Sequence, residues 1–241
     1  MKEYIAHIRY EDEKEVVQSV KAHLEQVAQI TSNNASKIGL AKVGEIIGLL
    51  HDFGKYSSAF QNYIGSATGV IDQDEDDYVD AESMKGKIDH STAGAKYLWN
   101  IAKSENPKNQ AVIQLLTLCV ASHHSGLIDC LTTDGKNTYE KRMYKRDEKC
   151  HLDEIKRKAD DELLIKINNL LDDGEFISEV INLVSFSLFC TINSPAELSA
   201  VFWVVPVSSP LSFLTYTWEH SPAAHRSQRL YRYLTGSPRK G

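Results

Sequence analysis

Of the side chains in the first 124 residues able to bind a divalent cation, six stand on or at the ends of predicted helices in a pattern that draws them together: His23, His51, Asp52, His90, His123 and His124. Imidazole and carboxylate both ligate divalent ions, and imidazole suits the transition metals. Burying either group is costly unless it is paired or metallated. His51-Asp52 closes an apolar stretch in which Val43, Ile46, Ile47 and Leu50 keep the three-to-four spacing of a buried helix. A helix end stopped by Gly54 would explain that dipeptide taken alone. Residues 110–122 are almost wholly apolar and run into His123-His124. A helix so apolar is buried nearly all round, which sets the tandem histidines at the mouth of a core. Together they present up to four ring nitrogens in need of partners. Helical scaffolds build two-metal sites by projecting such groups inward. Two ions about 3.5–4 Å apart stabilise the attacking and leaving oxygens of a phosphoryl displacement. The constellation therefore predicts metal-assisted hydrolysis of a phosphate ester. Zinc-protease chemistry suits it less, since the chain has no HExxH helix.

The elements that must hold these residues read as helices. Residues 11–32 carry Val16, Val20, Leu24, Val27 and Ile30 at amphipathic spacing, with His23 at the edge of the apolar face. A second helix ends at His51-Asp52, and Ser57–Ile64 adds a turn or two. From Gly65 to Lys87 the periodicity vanishes and Asp72, Asp74, Glu75, Asp76, Asp77 and Asp80 crowd together; without EF-hand spacing this reads as a solvated acidic loop. Asp89 or Ser91 is placed to cap the next helix, leaving His90 near its first turn. Pro107 marks the following break. Residues 136–158 hold nine Lys/Arg against five Asp/Glu, with Tyr139 and Tyr144 interleaved. That stretch suits phosphate contacts, or equally a solvated helix face. Helices through Leu163, Ile167 and Leu171 and over Phe176–Cys190 complete an all-α arrangement.

The 241 residues allow one substantial core with an appendage, and the net charge of −6 confines any nucleic-acid binding to local patches. Four cysteines without CxxC spacing indicate neither a zinc knuckle nor a disulfide framework. With no apolar signal segment at the start, a cytoplasmic setting is expected. Residues 191–241 differ in kind: they hold five of the six prolines, and no charge occurs from Leu198 to Trp218. Two prolines and several hydroxyl residues make that run a poor membrane span. A boundary near 190 is expected, with a domain over 1–190 and an atypical tail over 191–241.

Four motifs in order, AHLEQVAQ with His23, HDFGK, DHSTAGA and SHHSGL, resemble the HD-domain superfamily of metal-dependent phosphohydrolases. More narrowly, the set resembles the HD nuclease of type I CRISPR systems, the partner or N-terminal part of the signature helicase-nuclease. The likeness covers about residues 1–190 and implies an all-α HD-domain helical bundle around a metal site. It implies that His23, His51 and Asp52 hold one ion, and that Asp52 bridges to a second held by His90, His123 and His124. Lys55 would contact the scissile phosphate and a metal-bound water of lowered pKa would attack it. The implied substrate is single-stranded DNA, cut endonucleolytically. The implied cofactors are one or two divalent ions: manganese, cobalt, nickel or magnesium. The implied partners are a separate or fused CRISPR helicase and the crRNA-guided surveillance complex.

Two departures qualify this expectation. The family's late aspartate ligand has no counterpart, since no aspartate follows Asp173, and impaired activity is expected in consequence. Nor is GLLHDFGKY a phosphate-binding loop, because five residues separate its glycines and Tyr56 replaces Ser/Thr. A nucleotide phosphohydrolase and a nuclease relic are the alternatives.

Overall fold

The computed structural model describes residues 3–11, 14–124, 127–130 and 132–193, with backbone alone at 10, 11 and 186–193. Strands β1 (Ile5–Glu11) and β2 (Lys14–Ser19) pair antiparallel. Then follow α1 (Val20–Ser36), α2 (Ala41–Leu50), a 3-10 turn (Phe53–Tyr56), α3 (Ser58–Thr68), the single-turn α4 (Ala81–Met84), α5 (Ser91–Ala102) and α6 (Pro107–Ser122). Short helices α7 (Thr138–Met143), α8 (Asp147–Cys150) and α9 (Leu152–Lys158) lead into α10 (Asp161–Asp173) and α11 (Glu175–Asn193). The fold is thus mostly helical, as expected, with one small hairpin in front.

That hairpin corrects the helix expected over 11–32. Val16 and Val17 lie in β2, facing Arg9 and Ile8 of β1. Ser19, in extended conformation, ends the strand and accepts the Ala22 N–H to start α1. Val16 and Val20, which helical spacing puts on one face, therefore belong to different elements. The buried stripe of α1 is Val20, Leu24 and Ala28, whereas Ile30 is exposed.

The core that positions the site is made by Leu24 of α1, Ile46, Leu49 and Leu50 of α2, Phe53, Leu98 of α5, and Ile113 and Leu116 of α6, all fully buried. Burying each such side chain contributes about 1.5–3 kcal/mol. Helix α2 is tied at its N-terminal end. The Glu179 carboxylate of α11 accepts the N–H groups of Lys42 and Val43 at 3.0 Å, satisfying two orphan donors at the positive end of the helix dipole. Alongside, the Thr31 hydroxyl of α1 donates to the Gly44 carbonyl at 2.6 Å.

Two glycines bring the C-terminal end of α2 against the N-terminal end of α5. A Cβ at Gly94 would stand 2.8 Å from the Leu50 carbonyl carbon and nearer still to its oxygen. One at Gly54 would stand 2.5 Å from His90 Cα, and the Gly54 N–H donates to the His90 carbonyl at 3.1 Å. Only glycine permits these approaches, which hold His90 beside the His51-Asp52 corner.

The acidic residues at 72 and 74–77 are exposed, in a loop as expected, although α3 extends to Thr68 before Gly69 ends it in the left-handed region. Among the described residues no helix is long and apolar enough to cross a membrane. The expected boundary near 190 and its atypical tail concern residues 194–241, which lie outside the described residues.

Candidate metal centre

Five of the six predicted ligands converge on the carboxylate of the sixth. His23 comes from the first turn of α1, His51 caps the C-terminus of α2 and Asp52 follows it. His90 is the N-cap of α5, and His123 and His124 follow the last residue of α6. Asp52 is 3% exposed. Its Oδ2 lies 2.9 Å from His23 Nε2 and 3.2 Å from His51 Nε2. Its Oδ1 lies 3.1 Å from His123 Nε2, 3.5 Å from His90 Nε2 and 3.6 Å from His124 Nε2. Five imidazoles thus turn the same ring nitrogen towards the two oxygens of one side chain.

The far sides of three rings fix their tautomers. His51 Nδ1 meets the Gly48 carbonyl at 2.8 Å, His123 Nδ1 the Val120 carbonyl at 2.8 Å, and His90 Nδ1 the Ile88 carbonyl at 3.1 Å. A carbonyl only accepts, so each Nδ1 carries the proton and each neutral ring offers its Nε2 lone pair inward. Lone pairs gathered on a carboxylate, with His90 and His124 Nε2 only 2.6 Å apart, repel one another unless a cation or a proton lies among them. Burial lowers the pKa of His90, and burial followed by the nearby His123 lowers that of His124, so the neutral ligand form is favoured. With protons rather than a cation among them, hydrogen bonds from His123, His23 and His51 outweigh the burial that would raise the pKa of Asp52, and hold the carboxyl well below the usual range. The donor set therefore fits divalent metal, and its nitrogen content fits a transition ion better than magnesium.

Lys55 is 4% exposed. Its ammonium donates to Asp52 Oδ2 at 2.9 Å, to the Ala6 carbonyl at 3.4 Å and to His7 Nε2 at 3.0 Å. The chain tightens into a 3-10 turn at Phe53, and the pair that forms is Asp52–Lys55.

Asp89, the acid in DHSTAGA, stays outside the cluster. It caps α5, accepting the Thr92 N–H at 3.0 Å and the Thr92 hydroxyl at 2.6 Å, and it pairs with Lys145. Burial would raise its pKa; Lys145 and Thr92 bring it down to about 2. Within the basic stretch, Lys145 is thus committed to Asp89, Arg142 to the Ala121 carbonyl at the end of α6, and Lys158 to Glu154. Lys141, Arg146, Lys149, Lys156 and Arg157 remain exposed.

One residue at the site escaped the sequence reading. His7, on β1, stacks edge-on against His23 with ring centroids 4.7 Å apart. Together with His23 and Asp52 it forms a group whose ligand atoms lie within 4.8 Å of one another; Asp52, His90, His123 and His124 form the other such group among the described residues. Burial, then the Lys55 ammonium, pushes the His7 pKa down to about 4. The only sequence signal was strand-like alternation in IAHIR, which gives no hint of a neighbour on α1.

No curated protein matches the chain. A family model described as "Cas3, HD domain" matches residues 9–178, the span that carries all six converging ligands and Lys55. The chain belongs to the Cas3 HD-domain family, a family of metal-dependent nucleases that work in CRISPR systems.

Proposed function

We propose that this protein cuts single-stranded DNA endonucleolytically in type I CRISPR interference, by metal-assisted attack of water on the phosphodiester. The observation that carries the reading is the convergence of five Nε2 atoms on the two oxygens of Asp52, with the Lys55 ammonium beside them. One or two divalent ions held there supply an acidified water and the positive charge that phosphoryl displacement requires. His51, His90 and His123 hold their lone pairs in place through backbone carbonyls, so ligation needs no rotamer change. Asp52 serves both halves of the cluster with one oxygen each. Lys55 supplies a fixed positive charge for a phosphate oxygen. Phe60 packs against His90, with the Lys55 ammonium 5.4 Å from its ring centre, and walls off that side from water.

The His124 side chain is 56% exposed, against 13–19% for the other four ligand histidines, so the centre opens on that side. A single strand entering there meets the centre without unpairing. The exposed cations of 136–158 add sequence-independent phosphate contacts. In this reading a CRISPR helicase, separate or fused, and the crRNA-guided surveillance complex deliver the strand in the cytoplasm.

The test is cleavage of circular single-stranded DNA with manganese, cobalt, nickel or magnesium, run beside duplex DNA and deoxynucleoside triphosphates. Metal-dependent linearisation of the circle is expected. Hydrolysis of the triphosphates with the circle intact would replace this reading with a nucleotide phosphohydrolase, and inertness towards all three would leave a nuclease relic.

A further inference from the structure

Around Asp52 the ligands are unevenly shared. Oδ1 faces three imidazoles, whereas Oδ2 faces two imidazoles and an ammonium. We propose that His7 is a metal ligand, joining His23 and Asp52 Oδ2 in the half of the centre where an ammonium stands in place of a third imidazole. The inference rests on the reading of the cluster as a metal centre.

Three observations support it. The ligand atoms of His7, His23 and Asp52 lie within 4.8 Å of one another, a spread that one ion can bridge. The strand is anchored two residues before His7: Gln61 of α3 accepts the Ile5 N–H at 2.9 Å and donates to the Ile5 carbonyl at 2.9 Å, and its amide also reaches the Lys55 carbonyl. Last, the β1–β2 register slips between Ile5 and His7, where two residues of β1 advance against one of β2. Such bulges bend a strand and re-aim a side chain, and they recur beside functional sites.

The Lys55 ammonium now has a second use. A neutral imidazole has one Nε2 lone pair, so His7 can accept from Lys55 or bind an ion but cannot do both. Ligation by His7 releases one N–H of Lys55 while its bonds to Asp52 and to the Ala6 carbonyl can persist. The freed donor is then available to a phosphate oxygen. His7 thereby couples metal loading to the presentation of Lys55.

The experiment is metal titration of the full chain with Mn(II) and Co(II), read by calorimetric stoichiometry and by the Co(II) absorption spectrum, for wild type, His7→Ala, His7→Asp and Lys55→Met. His7→Ala should weaken one class of ion by about tenfold or more, since losing even an outer partner of a ligand costs about that much. It should also change the Co(II) spectrum while leaving the metal-free far-ultraviolet circular dichroism unchanged. His7→Asp, which supplies an oxygen ligand, should recover much of the affinity with an altered spectrum. Lys55→Met should leave metal affinity undiminished. Wild-type stoichiometry, affinity and spectrum in folded His7→Ala would overturn the proposal, as would equal weakening by Lys55→Met, which would reduce His7 to a prop for that lysine. A wild-type chain that takes up no ion would instead sink the metal-centre reading beneath it.

Discussion

Gly94→Ala tests whether helix packing, rather than the ligands themselves, sets the spacing of the centre. The added methyl would stand 2.8 Å from the Leu50 carbonyl carbon, where ordinary contact begins near 3.4 Å, so α5 and the end of α2 must part by at least about 0.6 Å. Leu50 immediately precedes His51-Asp52, and Gly94 lies one helical turn beyond His90. The displacement therefore falls on the His90–Asp52 separation, while metal sites tolerate about 0.2 Å. Overpacking costs about 1–3 kcal/mol. Alanine in a helix returns up to about 1 kcal/mol. A net loss of about 1–2 kcal/mol should lower Tm by about 2–8 °C for a domain of this size.

Metal affinity should fall by about 10–100-fold, as for other changes that move a ligand without removing it. The control is Gly39→Ala. Gly39 has φ +75° and open space around its would-be Cβ, so the substitution costs about 1–2 kcal/mol of backbone strain far from any ligand. Thermal unfolding of the metal-free proteins and calorimetric titration with Mn(II) measure both quantities. Should Gly94→Ala lower Tm yet bind Mn(II) as wild type does, or should Gly39→Ala lose as much affinity, the close approach does not set the site.

Three further outcomes follow from the same geometry. His123→Ala and His124→Ala should each lower bound metal by elemental analysis and abolish metal-dependent DNA cleavage while the helices survive; unchanged metal and cleavage in both would remove these residues from the centre. Lys55→Ala should slow single-turnover cleavage with metal content intact, and a parallel loss of metal would make Lys55 part of the ion-holding structure. Asp89→Asn should flatten the acid limb of stability. The folded-state pKa of Asp89 is depressed to about 2, so its contribution is full above the unfolded value and lost as pH falls from about 4 towards 2. That contribution is about 2 kcal/mol. Denaturant midpoints at pH 7 and pH 3 should therefore differ less in the variant than in wild type.

The side chains of the cluster were legible because each sits where periodicity points. His51, His123 and His124 follow apolar runs, His90 precedes one, and His23 borders one, so the helix count alone sends them towards the core. The hairpin was not legible, because Val16, Val20, Leu24 and Val27 satisfy helical spacing whether or not Val16 is helical. Only Ser19, extended and capping α1, separates strand from helix, and capping residues shift such boundaries without disturbing the apolar pattern. His7 was lost with the hairpin: its approach to His23 depends on β1 being laid along α3 by Gln61, a contact across 56 residues. The Glu179 cap on α2, 136 and 137 residues away, is beyond any local signal. Gly54 and Gly94 read as helix stop and helix interior, and their steric purpose shows only once α5 is in place.

These misses have a common cause that bears on how the centre works. The side chains of the proposed centre come from local signals at helix ends, but the distances between them come from contacts distant in sequence: the Glu179 cap, the Gln61 clamp, and the two glycine approaches. Metal geometry is strict to a few tenths of an ångström, so in the proposed centre these remote contacts would govern affinity as firmly as the histidines. Asp52 is the point at which the two kinds of information meet. Its two oxygens divide the imidazoles between the α1–α2 side and the α5–α6 side. A shift of either helix pair against the other therefore moves one set of ligands away from a carboxylate that is buried, ionised and unable to follow.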